Sequence, residues 1–326
     1  MLKLVTSVLA NNRMRVLRHS SMIAIEAFFP SLIRLYMFWT HKFRWAFAHP
    51  LTADAPWSAV NRYLRWKIAS SVAKSSIVVP FVNDTKLLVG SSMSTANFAI
   101  FFGLSEFENM SFALHLLTDE DLFGDVGANV GLYSVLASGV CGAKSVAIEP
   151  VPTTVEALRL NSAINNLGNL VKILEIGIGA EPGELSFSID EDGGNHVVLD
   201  GTGCRVHVLP LDGVFDARTP ILLKIDVEGF ETNVIKGAQS LLKDTALKAV
   251  LIEMNGCSKR YGFDDRALDA EMRKFGFSSF LYDPWSRSLN PSSPRYVFNT
   301  IYVRDLAFVE HRLRTATPFR VLGHCI

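Results

Sequence analysis

Between Asp121 and Val303 the chain alternates short strand-like runs with helical runs, and that rhythm restricts it to a layered α/β architecture. The strand-like runs are 121–126, 145–149, 171–176, 221–227 and 249–254. Helical runs at 130–138, 152–165, 231–242 and 265–275 stand between or after them. Strands spaced by helices pair in parallel, and the helices cover both faces of the sheet. Two further strand runs, 279–282 and 299–303, follow one another without a helix and predict an antiparallel last strand.

Upstream, residues 76–90 predict two short strands, 77–79 and 86–89, with Asn83-Asp84 as the turn. A helical run at 106–117 leads into the alternating region. Residues 1–75 read as helical segments broken at Pro30, Pro50 and Pro56. The expected organisation is a helical N-terminal extension, 1–75, and an α/β domain, 76–326. Met22–Trp39 is strongly apolar yet contains Glu26, Pro30 and Arg34. It reads as a helix packed on the domain, with a helix lying in a membrane interface as an alternative and a span as a weaker one. The 326 residues carry 32 basic and 32 acidic side chains, so no nucleic-acid partner is expected. Cys141, Cys204, Cys257 and Cys325 have neither disulfide-framework nor zinc spacing. They read as free thiols of a reducing, cytoplasmic compartment, with membrane association open through the N-terminal helix.

The segment Leu122–Ser134, LFGDVGANVGLYS, runs a strand into a glycine turn and then a helix. Ligands of open parallel sheets bind beyond the carboxyl ends of the strands, where this turn falls. Gly127 and Gly131 permit a sharp turn and close backbone approach. The dinucleotide fingerprint G-x-G-x-x-G is broken by Ala128 and Asn129. Asp125 would repel a pyrophosphate, but it suits the ammonium of a methionine moiety. Glu149, ending the next strand, can accept from both hydroxyls of a ribose. Together these residues point to S-adenosylmethionine. A nicotinamide-dependent oxidoreductase and a catalytically silent, membrane-associated scaffold are the competing readings.

Several segments in order resemble the FkbM-type family of class I S-adenosylmethionine-dependent methyltransferases. They are Gly103–Glu108, the FGDVGANVGLYS turn, Ala147–Pro150, Leu209–Asp212, Leu223–Glu231 with Val234–Ala238, and Leu251–Asn255. The resemblance covers about residues 76–305. It implies a Rossmann-like class I methyltransferase sheet and methyl transfer, usually to oxygen, on a sugar, glycan or secondary-metabolite acceptor. It also implies that Asp125, Gly127, Asn129 and Gly131 line the methionine end and Glu149 the ribose. Gly177 and Ile178, in the loop after the third strand, would lie near the adenine.

An alcohol acceptor must lose a proton, so a base is needed within hydrogen-bond reach. Asp226, at the end of the fourth strand, is the first candidate, with Glu228 two residues later. Carboxylates paired at such a turn can raise each other's pKa. His196, after the glycine-rich Asp192–Asn195, is the other candidate. No metal is required by the spacing. A Mg²⁺-assisted version would draw on Asp226, Glu253 and Asn255.

Overall fold

The computed structural model describes residues 46–90, 94–189, 194–215, 218–294, 296 and 298–326. The expectation for Met22–Trp39 lies outside them. The chain divides into two compact units, residues 1–60 and 61–326. In the smaller, the Thr52 hydroxyl donates to the Ala46 carbonyl at 2.7 Å and closes a turn.

Helix α1 spans Pro56–Ala73, and its proline occupies the first helical position, where no N–H is needed. The expected hairpin pairs Ile77–Pro80 with Lys86–Val89. Helices α2 (Ser94–Phe102) and α3 (Phe107–Leu116) follow. Among the described residues the central sheet has eight strands: β1 (Leu122–Val126), β2 (Lys144–Ile148), β3 (Val171–Leu174), β4 (Leu222–Ile225), β5 (Ala249–Met254), β6 (Ser278–Asp283), β7 (Ser288–Pro291) and β8 (Phe298–Val303). Their spatial order is β7-β6-β8-β5-β4-β1-β2-β3. The five strands from β3 to β5 pair in parallel, and β8 runs antiparallel between β5 and β6. This is the expected α/β class with its antiparallel last strand. β7, a short edge strand, is an addition.

The interior strands are apolar because both their faces are covered. All four residues of β4 are buried, and so are the last four of β1 and of β2. Val126, Ile148, Ile225 and Ile252 form one core with Leu241, Leu268 and Met272 from the helices. Helix α4 covers Leu132–Val135 and widens into a π turn over 136–140. Helix α5 is Pro152–Ile164.

The expected single helix 231–242 is two, α6 (Glu231–Lys236) and α7 (Gln239–Lys243). Gly237 packs so tightly that a Cβ would stand 2.0 Å from the Gly179 carbonyl oxygen. The Asp212 carboxylate accepts from the Ser240 and Leu241 amides and starts the second helix afresh. A further correction concerns Gly177 and Ile178. They form a short strand pairing with Val208 and Leu209, not a loop. That strand belongs to a four-stranded side sheet with 183–187, 197–198 and 204–209. Helices α8 (Asp265–Lys274) and α9 (Leu306–Thr315) complete the chain, with a small hairpin at 320–325. The four cysteines are free, and no described helix is long and apolar enough to cross a membrane.

Candidate active site

The chain runs outward through β1, β2 and β3, then returns to place β4 on the other side of β1. The crevice of such a sheet lies where the strand order reverses, beyond the ends of β1 and β4. The turn Gly127–Gly131 and the turn Asp226–Gly229 meet there. The Asp226 amide donates to the Val126 carbonyl at 3.0 Å. A Cβ on Gly127 would stand 1.8 Å from the Asp226 carbonyl oxygen, so only glycine permits this approach.

The glycine turn is held from several sides. The Gly127 and Ala128 amides both donate to the Ile148 carbonyl at 2.9 Å. Asn129 takes a left-handed conformation, φ 52°, and its side-chain oxygen accepts from the Val130 amide at 2.6 Å. Glu149 accepts from the Asn129 amide at 2.9 Å and from the Val151 amide at 3.1 Å. Its carboxylate thus braces the turn itself, while spare lone pairs stay available to a hydroxyl donor. Burial pushes its pKa up to about 7, against the pull of those two amides.

Beneath the turn lies a network of buried charge. Asp125 is fully buried and accepts from the Ser134 hydroxyl at 2.7 Å. Its other oxygen has no hydrogen-bond partner among the described residues. Lys224 stands beside it on β4, in register with Asp125. The Lys224 ammonium donates to Asp226 at 2.9 Å and lies 5.1 Å from the centre of the Tyr133 ring. Tyr133 donates to Glu106 at 2.8 Å, and the Asn299 amide donates to the same carboxylate. Burial raises the pKa of Asp125 and Glu106, and Lys224 pulls both back down. The three carboxylates Asp226, Asp125 and Glu106 outweigh the desolvation of Lys224 and hold it protonated.

At the mouth, carboxylate oxygens of Asp226, Glu228 and Glu253 all lie within 4.8 Å of one another. Burial first, then Asp226, Glu228 and Glu231, pushes the Glu253 carboxyl far above its ordinary range. The carboxyl raised by this crowding is therefore on β5. Asn255, the other expected oxygen ligand, instead accepts from the Cys257 amide at 2.9 Å. Glu228 adopts φ 55°, and Gly229 follows at φ 103° against the Cys257 backbone. Glu231 accepts from the Val227 and Gly229 amides at 3.1 Å each and fixes this strained turn.

His196 sits on the side sheet. Its amide donates to the Ser188 hydroxyl at 3.0 Å, and its Nδ1 lies 3.1 Å from the Gly194 carbonyl oxygen. The side sheet reaches the site through Tyr261, whose hydroxyl donates to the Val197 carbonyl at 2.7 Å. The Tyr261 ring meets Phe230 edge-on at 5.1 Å. Asp226 and Glu228 therefore share one cluster with Glu253, while the hydrogen bonds of His196 run to Ser188 and Gly194 beside the side sheet. Sequence reasoning passed over Lys224, Glu106, Tyr133 and Asn299. The only available signal for Lys224 was a charge inside an otherwise apolar strand.

The polar groups at and beneath the two turns are rich in acceptors: Asp125, Glu149 and the acidic cluster. Such a set suits a ligand that presents an ammonium and hydroxyl donors and opposes a pyrophosphate. Residues 125–279 match the family described as Methyltransferase FkbM domain. Hexuronic acid methyltransferase AglP of Haloferax volcanii is 28% identical over 142 residues, 42% of this chain and 57% of that protein. The chain thus spans little more than half the length of that relative. Among solved structures, Methyltransferase FkbM from Methylobacillus flagellatus KT is 17% identical, with a TM-score of 0.43 over 67% of this chain and 56% of that one. An RNA methyltransferase from Salinibacter ruber in complex with S-adenosyl-L-homocysteine is 13% identical, with a TM-score of 0.32 over 60% of this chain and 87% of that one.

Proposed function

We propose that this chain, whose residues 125–279 belong to the FkbM methyltransferase family, methylates a hydroxyl oxygen at the expense of S-adenosylmethionine. Residues 76–326 act as the catalytic domain and 1–75 as its extension, in a cytoplasmic setting. The observation that carries the reading is the contact between the two turns. Gly127 of the glycine turn lies directly against Asp226, so cofactor pocket and base share one wall. Asp125, Gly127, Asn129 and Gly131 form the methionine end, Glu149 receives the ribose hydroxyls, and Gly177 and Ile178 border the adenine. When bound, S-adenosylmethionine supplies an electrophilic methyl group on a positively charged sulfur. Asp226 takes the acceptor's hydroxyl proton as the oxygen gains its methyl, with Lys224 fixing one carboxylate oxygen. Glu228 and Glu253 orient the acceptor by hydrogen bonds. The name of the Haloferax relative favours a sugar-derived acceptor over a secondary metabolite or a nucleic acid.

Binding is tested by calorimetric titration with S-adenosylmethionine and with NAD. Binding of NAD alone would reinstate the oxidoreductase, and binding of neither the silent scaffold. Transfer is tested by following S-adenosylhomocysteine release against a panel of hexuronic acids and neutral sugars. Asp226→Asn should keep cofactor affinity and lose about 100-fold or more in turnover. His196→Ala should stay near the wild-type rate. The opposite pattern would move the base to the side sheet. A second reading adds a divalent cation held by Asp226, Glu228 and Glu253, favoured by their 4.8 Å grouping. Unchanged turnover after chelator treatment removes it.

A further inference from the structure

Helix α1 has two faces of different kinds. One is docked: Tyr63 and Trp66 are buried, and the Arg62 guanidinium donates to the Ile100 and Phe101 carbonyls at 3.2 and 2.9 Å. The Tyr63 ring meets Phe101 edge-on at 5.6 Å. These contacts fix the helix about its own axis, so its opposite face is held outward. A surface helix ordinarily shows polar side chains there. Instead Leu64, Ile68 and Val72, spaced four apart, form an apolar stripe exposed to 38%, 65% and 79%. Arg65 and Lys67 are exposed and flank the stripe on opposite sides, about 60° and about 100° around the helix from Ile68. Exposed Lys74 follows the helix, and no acidic residue occurs between Ala55 and Asn83. Val78, in the next strand, is exposed as well.

We propose that this face of α1 is a membrane-docking surface for an anionic phospholipid bilayer. The aliphatic stripe enters the boundary between headgroups and acyl chains, and the flanking cations meet lipid phosphates. The charge pattern selects this occupant. A second copy docked through this same face would bring like charges against Arg65, Lys67 and Lys74. The helix itself carries Arg62, Arg65 and Lys67, so it lies in the interface and does not cross it.

The test is flotation of the full chain with phosphatidylcholine vesicles and with vesicles containing phosphatidylglycerol as well. The protein should float with the second and much less with the first. Arg65→Glu with Lys67→Glu should weaken that binding at least about tenfold, since each basic residue near an anionic surface contributes about fivefold. Ile68→Asp with Val72→Asp should abolish it, while melting temperature and cofactor affinity stay at wild-type values. Full vesicle binding by the aspartate variant would overturn the proposal, because the contact would then lie elsewhere in the chain. Equal binding to both vesicle types would overturn the charge argument. A dimer in light scattering that these aspartates dissolve, with no flotation, would assign the face to a second copy instead.

Discussion

Glu149 illustrates how one side chain serves both the fold and the ligand. Its two oxygens already hold the Asn129 and Val151 amides, and burial still lifts its pKa to about 7. A raised carboxyl favours the neutral form, whereas hydroxyl donors of a ribose favour the ionised one. Ligand binding must then remove a proton below pH 7 and none above it. Cofactor affinity should therefore climb about tenfold per pH unit up to about 7 and level off beyond. Titrations across that range check the shape, and Glu149→Gln should flatten it. Gly127 sets a different limit. Its φ of 77° is unfavourable for any side chain, and a Cβ would collide with backbone at 1.8 Å. Gly127→Ala should cost about 2 kcal/mol or more and eliminate cofactor binding. Gly213, with no atom within 4 Å of its Cβ position, is the control: Gly213→Ala should leave the denaturation midpoint almost unmoved.

Elements differed in how much of themselves they displayed in the chain. β1, β2 and β5 were readable because strands covered on both faces are mostly apolar runs with turn residues at their ends. The side sheet was not. Its longest strand, 204–209, buries only alternate residues and is interrupted by polar side chains at Arg205 and His207. The 2-residue strands 177–178 and 197–198 carry no periodic signal at all, so Gly177 and Ile178 read as a loop. The division of α6 from α7 was hidden for another reason: its cause lies elsewhere in the chain. Asp212 caps α7 from 28 positions upstream. Asp212→Ala should cost about 1 kcal/mol in chemical denaturation, the usual value of a lost cap. A cost indistinguishable from zero would mean that Gly237 alone ends α6.

At the scale of the molecule, the site depends on tertiary juxtapositions that no local pattern announces. Asp125, Gly127 and Asp226 were legible because each ends a strand in a recognisable turn. Glu106 and Asn299, 193 positions apart, meet only because β8 inserts between β5 and β6. Lys224 is the common element: a cation inside the central sheet that answers Asp125, Asp226 and Glu106. Removing one partner of a buried charge network leaves the others uncompensated, at a cost of about 3–5 kcal/mol. Lys224→Met should therefore lower the melting temperature sharply, although methionine fills similar volume. Asp226→Asn in the same chain relieves part of that loss, because the carboxylate left unpaired is gone. The loss in the double variant should be about 1–3 kcal/mol smaller than the sum of the two single losses. Additive losses in urea denaturation would show that Lys224 supports the sheet by packing, and that the 2.9 Å contact with Asp226 is incidental to the fold.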